Sequence, residues 1–309
     1  MSSKQIYQKK LIGFENEFNE LSKIYKSENV PSGVIFYGKK GIGKRTFVFH
    51  LINSILSKNE NGEYNSKDKI IDASNPSYKL AANGIHPNLF IVDTKEDKKT
   101  IDILQIREMF SFAKKSTFDN KLKFIVINNA DNLNLFSSNA LLKILEEPNE
   151  KISFIFIHNS KKKIIETIKS RCIFYKMNIN ESDKIKIIEN ILPQINLRSD
   201  IFNYYTTPGE IYEFYNFCVE NKIDYNDINL EFLFKVISEN ISLIKTNYIV
   251  KNFTSFIEVY FYNKIVLSKN DSKYVELYKS FLKKIDSFNK YNLDLESLLI
   301  EFNGKIKNG

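Results

Sequence analysis

Cysteine and tryptophan are almost absent from this chain of 309 residues. It has no tryptophan and two cysteines, Cys172 and Cys218. The two thiols lie far apart and without metal-ligand spacing, which argues against a zinc site and a disulfide framework. No uncharged apolar stretch is nearly as long as the about 18 residues that a membrane-spanning helix needs. Residues 1–7 show no apolar signal region. We therefore expect a cytoplasmic protein without disulfides, without a bound metal and without a membrane segment.

The charge of the chain is moderately basic. Hydrophobic residues make up 43% and charged residues 27%, with a net charge of +8 and a pI near 9.1. A basic balance is compatible with a nearby nucleic acid. However, lysine, asparagine and isoleucine are abundant and arginine is scarce, as an AT-rich genome would produce. Charge alone therefore leaves a DNA-facing surface open.

The order of apolar segments predicts three domains. Residues 1–178 alternate strands with helices, which is typical of an α/β domain with a parallel sheet. The predicted strands are 34–37, 88–92, 124–127, 153–157 and 172–176. Residues 58–83 are polar and are interpreted as a surface excursion. Residues 179–220 predict a small helical domain, and 221–309 a helical C-terminal domain.

In the C-terminal domain, apolar residues recur at helical spacing. One predicted face comprises Leu233, Ile237, Ile241, Ile244 and Tyr248. A second comprises Val275, Tyr278, Leu282 and Ile285.

A phosphate-binding loop follows the first predicted strand. It needs glycines, so that backbone N–H groups turn towards phosphate oxygens, and a lysine that reaches the outer phosphates. These parts are Gly38, Gly41, Gly43 and Lys44. The next position should carry a Mg²⁺-binding hydroxyl but carries Arg45, and Thr46 is turned about 100° away on a helix. The loop is therefore expected to hold nucleotide weakly or not at all.

The predicted strand 124–127 should present acidic residues to a metal and to the attacking water. It is followed instead by Asn128 and Asn129. Neutral amides neither balance Mg²⁺ nor accept a proton, so hydrolysis is not expected. Asp131 is interpreted as a cap of the following turn, with a metal role as the alternative.

Ser170-Arg171-Cys172 stands between a predicted helix and the last strand. An arginine at a helix end commonly balances the helix dipole. The alternative is an arginine finger, which reaches the γ-phosphate of a neighbouring subunit and offsets charge in the transition state. The tripeptide alone does not decide between the two.

Four strings together resemble the clamp-loader branch of the AAA+ proteins, and within it the delta prime family of bacterial DNA polymerase III. They are residues 38–44, 86–90, 139–148 and 170–172. The last two read Asn-Ala-Leu-Leu-Lys-Ile-Leu-Glu-Glu-Pro and Ser-Arg-Cys. They occur in the order of that family, and the resemblance covers about residues 1–215.

The resemblance implies a subunit of a ring-like hetero-pentamer within the DNA polymerase III holoenzyme, a nucleotidyltransferase complex. Its partners would be ATPase subunits (gamma/tau) and a delta subunit, and the pentamer would place a sliding clamp on primed DNA. This subunit would not hydrolyse ATP. Arg171, with Ser170 and Cys172, would be its trans arginine finger. The sensor region would be His158-Asn159-Ser160, with Asn159 at its centre. The fold would be an AAA+ P-loop domain, a small helical lid and a C-terminal collar.

Departures from the family pattern bear on cofactors. Many relatives carry four zinc-binding cysteines that residues 58–83 lack, so no zinc is expected. The segment 207–210 lacks the arginine of a second nucleotide sensor, so no cofactor should be required, with ATP or ADP bound weakly at most. Two alternatives remain open: an active gamma/tau-like ATPase, and a DNA-binding scaffold using lysines. Those lysines are Lys161, Lys162, Lys163 and Lys169.

Overall fold

The computed structural model describes residues 8–27, 30–95, 98, 100–115, 121–146, 151–160, 166–193, 201–202, 206–225, 228–268, 272–291 and 295–307. The chain divides into two compact units, Met1–Ile187 and Ile188–Gly309. The boundaries of the three expected domains stay a prediction.

Five parallel strands form the sheet of the first unit. They are β1 (Gly33–Tyr37), β2 (Leu89–Val92), β3 (Lys123–Ile127), β4 (Ile152–His158) and β5 (Ile173–Lys176). Their order in the sheet is β2-β3-β4-β1-β5, and every pairing between neighbours is parallel. The α/β fold class with a parallel sheet is therefore confirmed.

Helices precede, connect and follow the strands. They are α1 (Glu15–Ile24), α2 (Lys44–Leu56), α3 (Pro76–Ala82), α4 (Ile103–Lys114), α5 (Leu135–Glu146), α6 (Glu166–Lys169) and α7 (Glu181–Ile191). A short 3₁₀ helix, Ala130–Asn132, precedes α5.

Successive side chains of a strand point to opposite faces of the sheet, and both faces are covered by helices. In β3, Phe124 and Val126 join one core, whereas Ile125 and Ile127 join the other. The first core includes residues of α1 and α2, and the second includes residues of α4 and α5. The carboxyl ends of the strands thus meet at one edge, where ligands bind in open α/β sheets.

The prediction that residues 58–83 form a surface excursion is wrong in part. Tyr64 and Ile71 are buried in the first core, and the segment contains α3. The polar composition of the segment concealed these two anchors, because isolated apolar residues give no periodic pattern.

A polar hub attaches the same segment to the sheet domain. The Glu60 carboxylate accepts hydrogen bonds from Ser77 Oγ (2.7 Å), Ser77 N (3.1 Å), Asn75 Nδ2 (3.1 Å) and Lys121 Nζ (3.0 Å). Lys121 also donates to the carbonyl oxygen of Leu56 at 2.8 Å. We call these five residues the Glu60 hub. It connects the end of α2, the start of α3 and the residues before β3.

The second unit is helical. Its helices are α8 (Pro208–Glu220), α9 (Leu230–Glu239), α10 (Ile241–Ile244), α11 (Asn247–Leu267), α12 (Ser272–Tyr291) and α13 (Leu295–Lys307). The buried core is rich in aromatic rings, among them Phe234, Phe253, Phe261, Phe281 and Phe302. None of the described helices is long and apolar enough to cross a membrane.

Two details of the helical periodicity are corrected. The face predicted from Leu233 to Tyr248 is divided among α9, α10 and α11, because the chain breaks at Asn240 and again before Thr246. On α12, Leu282 is exposed and the neighbouring Phe281 is buried. Phe281 therefore replaces Leu282 on the core face.

Candidate functional site

The predicted phosphate-binding loop connects β1 to α2. Gly41 and Gly43 adopt φ angles of 87° and 96°, a left-handed backbone that side chains disfavour. Gly38 is required for space, because a Cβ atom there would lie 2.4 Å from the carbonyl oxygen of Met177. The structure thus places the three glycines in one turn at the carboxyl edge of the sheet.

Lys44 begins α2 and closes the loop. Its side chain is buried, and Nζ donates to the carbonyl oxygens of Gly38 (2.8 Å) and Lys39 (2.6 Å). Burial lowers the pKa of Lys44 to about 8; Asp131 opposes this effect and Lys40 adds to it. A phosphate group near Nζ would stabilise the charged form of this lysine.

Arg45 is directed at an acidic residue that the motif did not reveal. Its Nη1 donates to Asp93 Oδ2 at 3.4 Å. Asp93 directly follows β2 and also accepts hydrogen bonds from Asn128 Nδ2 (2.7 Å) and Asn129 Nδ2 (2.7 Å). The two amides at the end of β3 therefore donate to a carboxylate from the neighbouring strand. We call Arg45, Asp93, Asn128 and Asn129 the Asp93 network.

A second set of hydrogen bonds extends this network to β4. Asn159 Nδ2 donates to Asn129 Oδ1 (2.7 Å) and to Asp131 Oδ1 (3.2 Å). The backbone N–H of Asn159 also donates to Asp131 Oδ1 at 3.2 Å. The interpretation of Asp131 as a turn cap is wrong, because this carboxylate accepts from Asn159 instead. The predicted sensor residue is thus fixed against the ends of β3 and β4.

His158, the last residue of β4, belongs with Asn159 and Ser160 to the segment that the resemblance assigns to the sensor region. Its ring stacks on Tyr37 with centroids 5.4 Å apart, and Nδ1 accepts the N–H of Ser160 at 3.1 Å. The proton of a neutral ring is therefore on Nε2, which is buried and has no hydrogen-bond partner among the described residues. Burial lowers the pKa of His158; Asp131 opposes this effect and Lys44 adds to it.

Magnesium does not fit the residues at this edge. A Mg²⁺ ion at a phosphate-binding loop takes hydroxyl and carboxylate oxygens. Here a guanidinium occupies the hydroxyl position, and the amide groups of Asn128 and Asn129 present N–H donors to Asp93. Among the described residues, no three His, Cys, Asp or Glu side chains come together as a metal cluster.

Arg171 lies between α6 and β5, apart from the Asp93 network. Its Nη2 donates to Glu146 Oε1 at 2.8 Å, and Nη1 donates to Thr167 O (2.8 Å) and Ser170 Oγ (3.2 Å). About a third of the arginine side chain and about half of the glutamate side chain are exposed, at 34% and 53%. The guanidinium is thus orientated by its own helix and by the last residue of α5, and it stays open to solvent.

Cys172 packs against the start of β1. A Cβ atom at Gly33 would lie 2.5 Å from Cys172 Sγ, so the sulfur uses the space that this glycine leaves. Burial raises the pKa of the Cys172 thiol to about 12, which suppresses the reactive thiolate. Ser170 accepts from Arg171, as described above. The contacts of the two residues are therefore those of packing and orientation around Arg171.

The lysines of the scaffold alternative are only partly described. Lys161, Lys162 and Lys163 lie outside the described residues, as do Glu147 and Pro148 of the motif after α5. Lys169 Nζ lies 5.8 Å from the ring centroid of Phe174.

Sequence relatives are found among subunits of DNA polymerase III. Over 141 residues the chain is 29% identical to subunit delta' of Pseudomonas aeruginosa, covering 45% of this chain and 40% of that protein. Over 190 residues it is 28% identical to subunit gamma of Buchnera aphidicola, covering 60% and 48% respectively. The chain spans about half the length of the curated relatives it matches.

The fold is also that of a solved structure. A DNA polymerase III, gamma subunit-related protein of Thermotoga maritima aligns with a TM-score of 0.51 over 93% of this chain and 97% of that chain, at 15% identity. The sequence model of the family described as "DNA polymerase III, delta subunit" matches residues 13–181, which is more than half of the chain. The chain therefore belongs to the DNA polymerase III, delta subunit family.

Proposed function

We propose that this chain is a non-hydrolysing clamp-loader subunit that acts in DNA replication through a neighbouring ATPase subunit. The observation that carries the proposal is the Asp93 network. It joins the position of the Mg²⁺-binding hydroxyl, now Arg45, to the positions of the catalytic acids, now Asn128 and Asn129. Phosphoryl transfer to water needs a metal and a group that orients the water, and these residues supply neither.

Asp93 does not restore an active ATPase site. Its carboxylate accepts from Arg45 and from the amides of Asn128 and Asn129. These donors occupy its oxygens and compete with any water that it could orient. The gamma-like alternative, which the similarity to a gamma subunit favours, would have to release this carboxylate from all three partners.

Arg171 is suited to act on another subunit. An exposed ion pair such as Arg171–Glu146 contributes about 0–1 kcal/mol, so its exchange for a phosphate costs little. A guanidinium binds phosphate oxygens in a planar, bidentate manner, which strengthens as charge develops on the transferring group. Arg171 would thus control ATP hydrolysis in a site that this chain does not contain, with Ser170 orienting its guanidinium and Cys172 packing the chain after it against β1.

The partners follow from the same proposal. They are gamma/tau ATPase subunits and a delta subunit in a hetero-pentamer, the sliding clamp, and primed DNA reached through the complex. The second unit would supply the collar that holds the pentamer together. The subunit requires no cofactor and no zinc, and it works in the cytoplasm.

The test is ATP hydrolysis by the purified chain, alone and in a loader reconstituted with gamma and delta subunits of the same organism. The chain alone should show no turnover, and the loader should hydrolyse ATP when clamp and primed DNA are added. Turnover of about 1 s⁻¹ by the chain alone, abolished by Lys44→Ala, would establish the ATPase alternative instead. Salt-sensitive binding of the chain alone to primed DNA would favour the scaffold alternative.

A further inference from the structure

The phosphate-binding loop retains its glycines and lysine although the metal site next to it is gone. Loss of nucleotide binding would remove the need for the left-handed backbone at Gly41 and Gly43 and for the buried lysine. The loop is nevertheless formed. A cation also stands at the position where the metal-binding hydroxyl belongs, which is Arg45.

We propose that Arg45, anchored by Asp93, takes the place of the metal ion, so that this loop binds the diphosphate group of a nucleotide without Mg²⁺. Arg45 lies in the first turn of α2, one residue after the loop lysine. A magnesium ion at that point neutralises phosphate charge, and a fixed guanidinium does the same with directional hydrogen bonds.

The anchoring by Asp93 prepares Arg45 for this role. The Arg45–Asp93 pair is about 30% exposed, at 30% and 27% for the two side chains, so the guanidinium is held at the edge of the site without being sealed from a ligand. Asp93 is in turn fixed by Asn128 and Asn129 at 2.7 Å each. A cation whose position is set before the ligand arrives loses less conformational entropy on binding.

His158 gives an independent indication of a ligand. Its Nε2–H is buried and has no hydrogen-bond partner among the described residues, and a buried donor without an acceptor is destabilising. His158 pairs with Tyr37 across β1 and β4, and its carbonyl oxygen accepts the N–H of Gly38 at 3.2 Å, which places it beside the first glycine of the loop. A phosphate oxygen bound at the loop would give this donor an acceptor.

Isothermal titration of the full chain with ADP, in EDTA and in excess Mg²⁺, tests the proposal. We expect ADP to bind, with dissociation constants that agree within about twofold in the two buffers. Pyrophosphate, titrated in parallel, shows how much of the affinity comes from the phosphates alone. Weaker binding of pyrophosphate than of ADP would mean that the nucleoside adds contacts, and equal binding would mean that the diphosphate is the whole ligand.

Variants separate Arg45 from other sources of positive charge. Arg45→Ala should weaken ADP binding by roughly 10- to 100-fold, because hydrogen bonds to charged groups are lost. Arg107→Ala is the matched control, since Arg107 is exposed on α4, and should leave binding unchanged. Arg45→Thr returns a hydroxyl beside Asp93 and should make ADP binding depend on Mg²⁺. Circular dichroism checks that each variant is folded.

Three results would overturn the inference. The first is the absence of ADP and pyrophosphate binding by the wild-type chain up to about 1 mM. The second is wild-type binding that needs Mg²⁺, and the third is binding that Arg45→Ala leaves unchanged. The proposed function is tested separately, by ATP turnover of the chain alone and by Arg171→Ala in the loader, and neither measurement requires ADP to bind at this loop.

Discussion

Replacing Glu60 by glutamine should destabilise the first unit, although Glu60 lies far from any catalytic motif in the sequence. Its two carboxylate oxygens accept four hydrogen bonds in the Glu60 hub, and only 22% of the side chain is exposed. Glutamine keeps the shape but puts an N–H donor in place of one oxygen. At least one donor of Ser77 or Lys121 then loses its acceptor.

The expected loss in the free energy of unfolding is about 1–3 kcal/mol, the cost of an unpaired donor in a partly buried, charge-assisted network. In a unit of this size each kcal/mol lowers Tm by about 2–4 °C. Burial alone would raise the pKa of Glu60, but hydrogen bonds from Ser77 and Lys121 outweigh it and hold the pKa below its ordinary value.

The sign of the pH dependence follows from that depressed pKa. The stabilisation by Glu60 is fully present above the pKa of an unfolded glutamate, about 4.3. It is lost as the pH falls through the lower pKa of the folded state. The stability difference between wild type and Glu60→Gln should therefore be full at pH 7 and should shrink in acid.

Thermal unfolding followed by circular dichroism at pH 7 and at acidic pH is the assay. Glu63→Gln is the matched control, because Glu63 is exposed and, among the described residues, accepts only from the backbone N–H of Asn59, at 3.3 Å. It should change stability by no more than about 0.5 kcal/mol. Equal stability of Glu60→Gln and Glu63→Gln at pH 7 would refute the structural role of the hub.

Three further predictions concern the same unit and its loop. Gly38→Ala should distort the loop and lower the free energy of unfolding by about 1–3 kcal/mol, because its Cβ would lie 2.4 Å from a carbonyl oxygen. Gly304→Ala, with open space around it, should leave the stability in thermal unfolding unchanged or raise it. ADP affinity, measured by titration, should fall between pH 7 and pH 9, because Lys44 loses its charge as the pH rises through its pKa of about 8. The same pH dependence of ADP affinity in the wild type and in Lys44→Met would contradict this. Metal analysis of the tag-free chain should find no stoichiometric zinc, and chelation should leave Tm unchanged.

The strands and the loop could be predicted from the sequence because their signals are local. Each predicted strand matched one of the observed strands within two residues at either end, since a buried parallel strand is a continuous apolar run. The glycine spacing likewise fixed the loop. The segment 58–83 was misjudged because its anchors, Tyr64 and Ile71, are single residues without a period.

The acidic partner of the loop could not be found in this way. Asp93 is 48 residues from Arg45 and 35 residues from Asn128, and it meets Asn128 because β2 lies beside β3 in the sheet. Only the strand order brings such residues together. A signal did exist, since Asp93 directly follows a predicted strand at the carboxyl edge. Asp93 follows β2 and Asn128 follows β3, so the motif around Asn128 does not include this carboxylate.

The most direct test of the proposed function compares two substitutions in the reconstituted loader, Arg171→Ala and Lys44→Ala. An arginine finger is worth roughly 10³ to 10⁵ in rate in GTPase systems, and a ring with several ATP sites should show less because only the site that faces this subunit is affected. We expect Arg171→Ala to leave assembly intact and to lower clamp- and DNA-stimulated ATP hydrolysis.

Arg171→Lys should rescue this activity poorly, because an ammonium group lacks the planar fork of donors. Lys44→Ala should have a much smaller effect on hydrolysis by the loader. The opposite ranking, with Lys44 essential and Arg171 without effect, would contradict the account of this chain as a subunit that activates its neighbour without hydrolysing ATP itself.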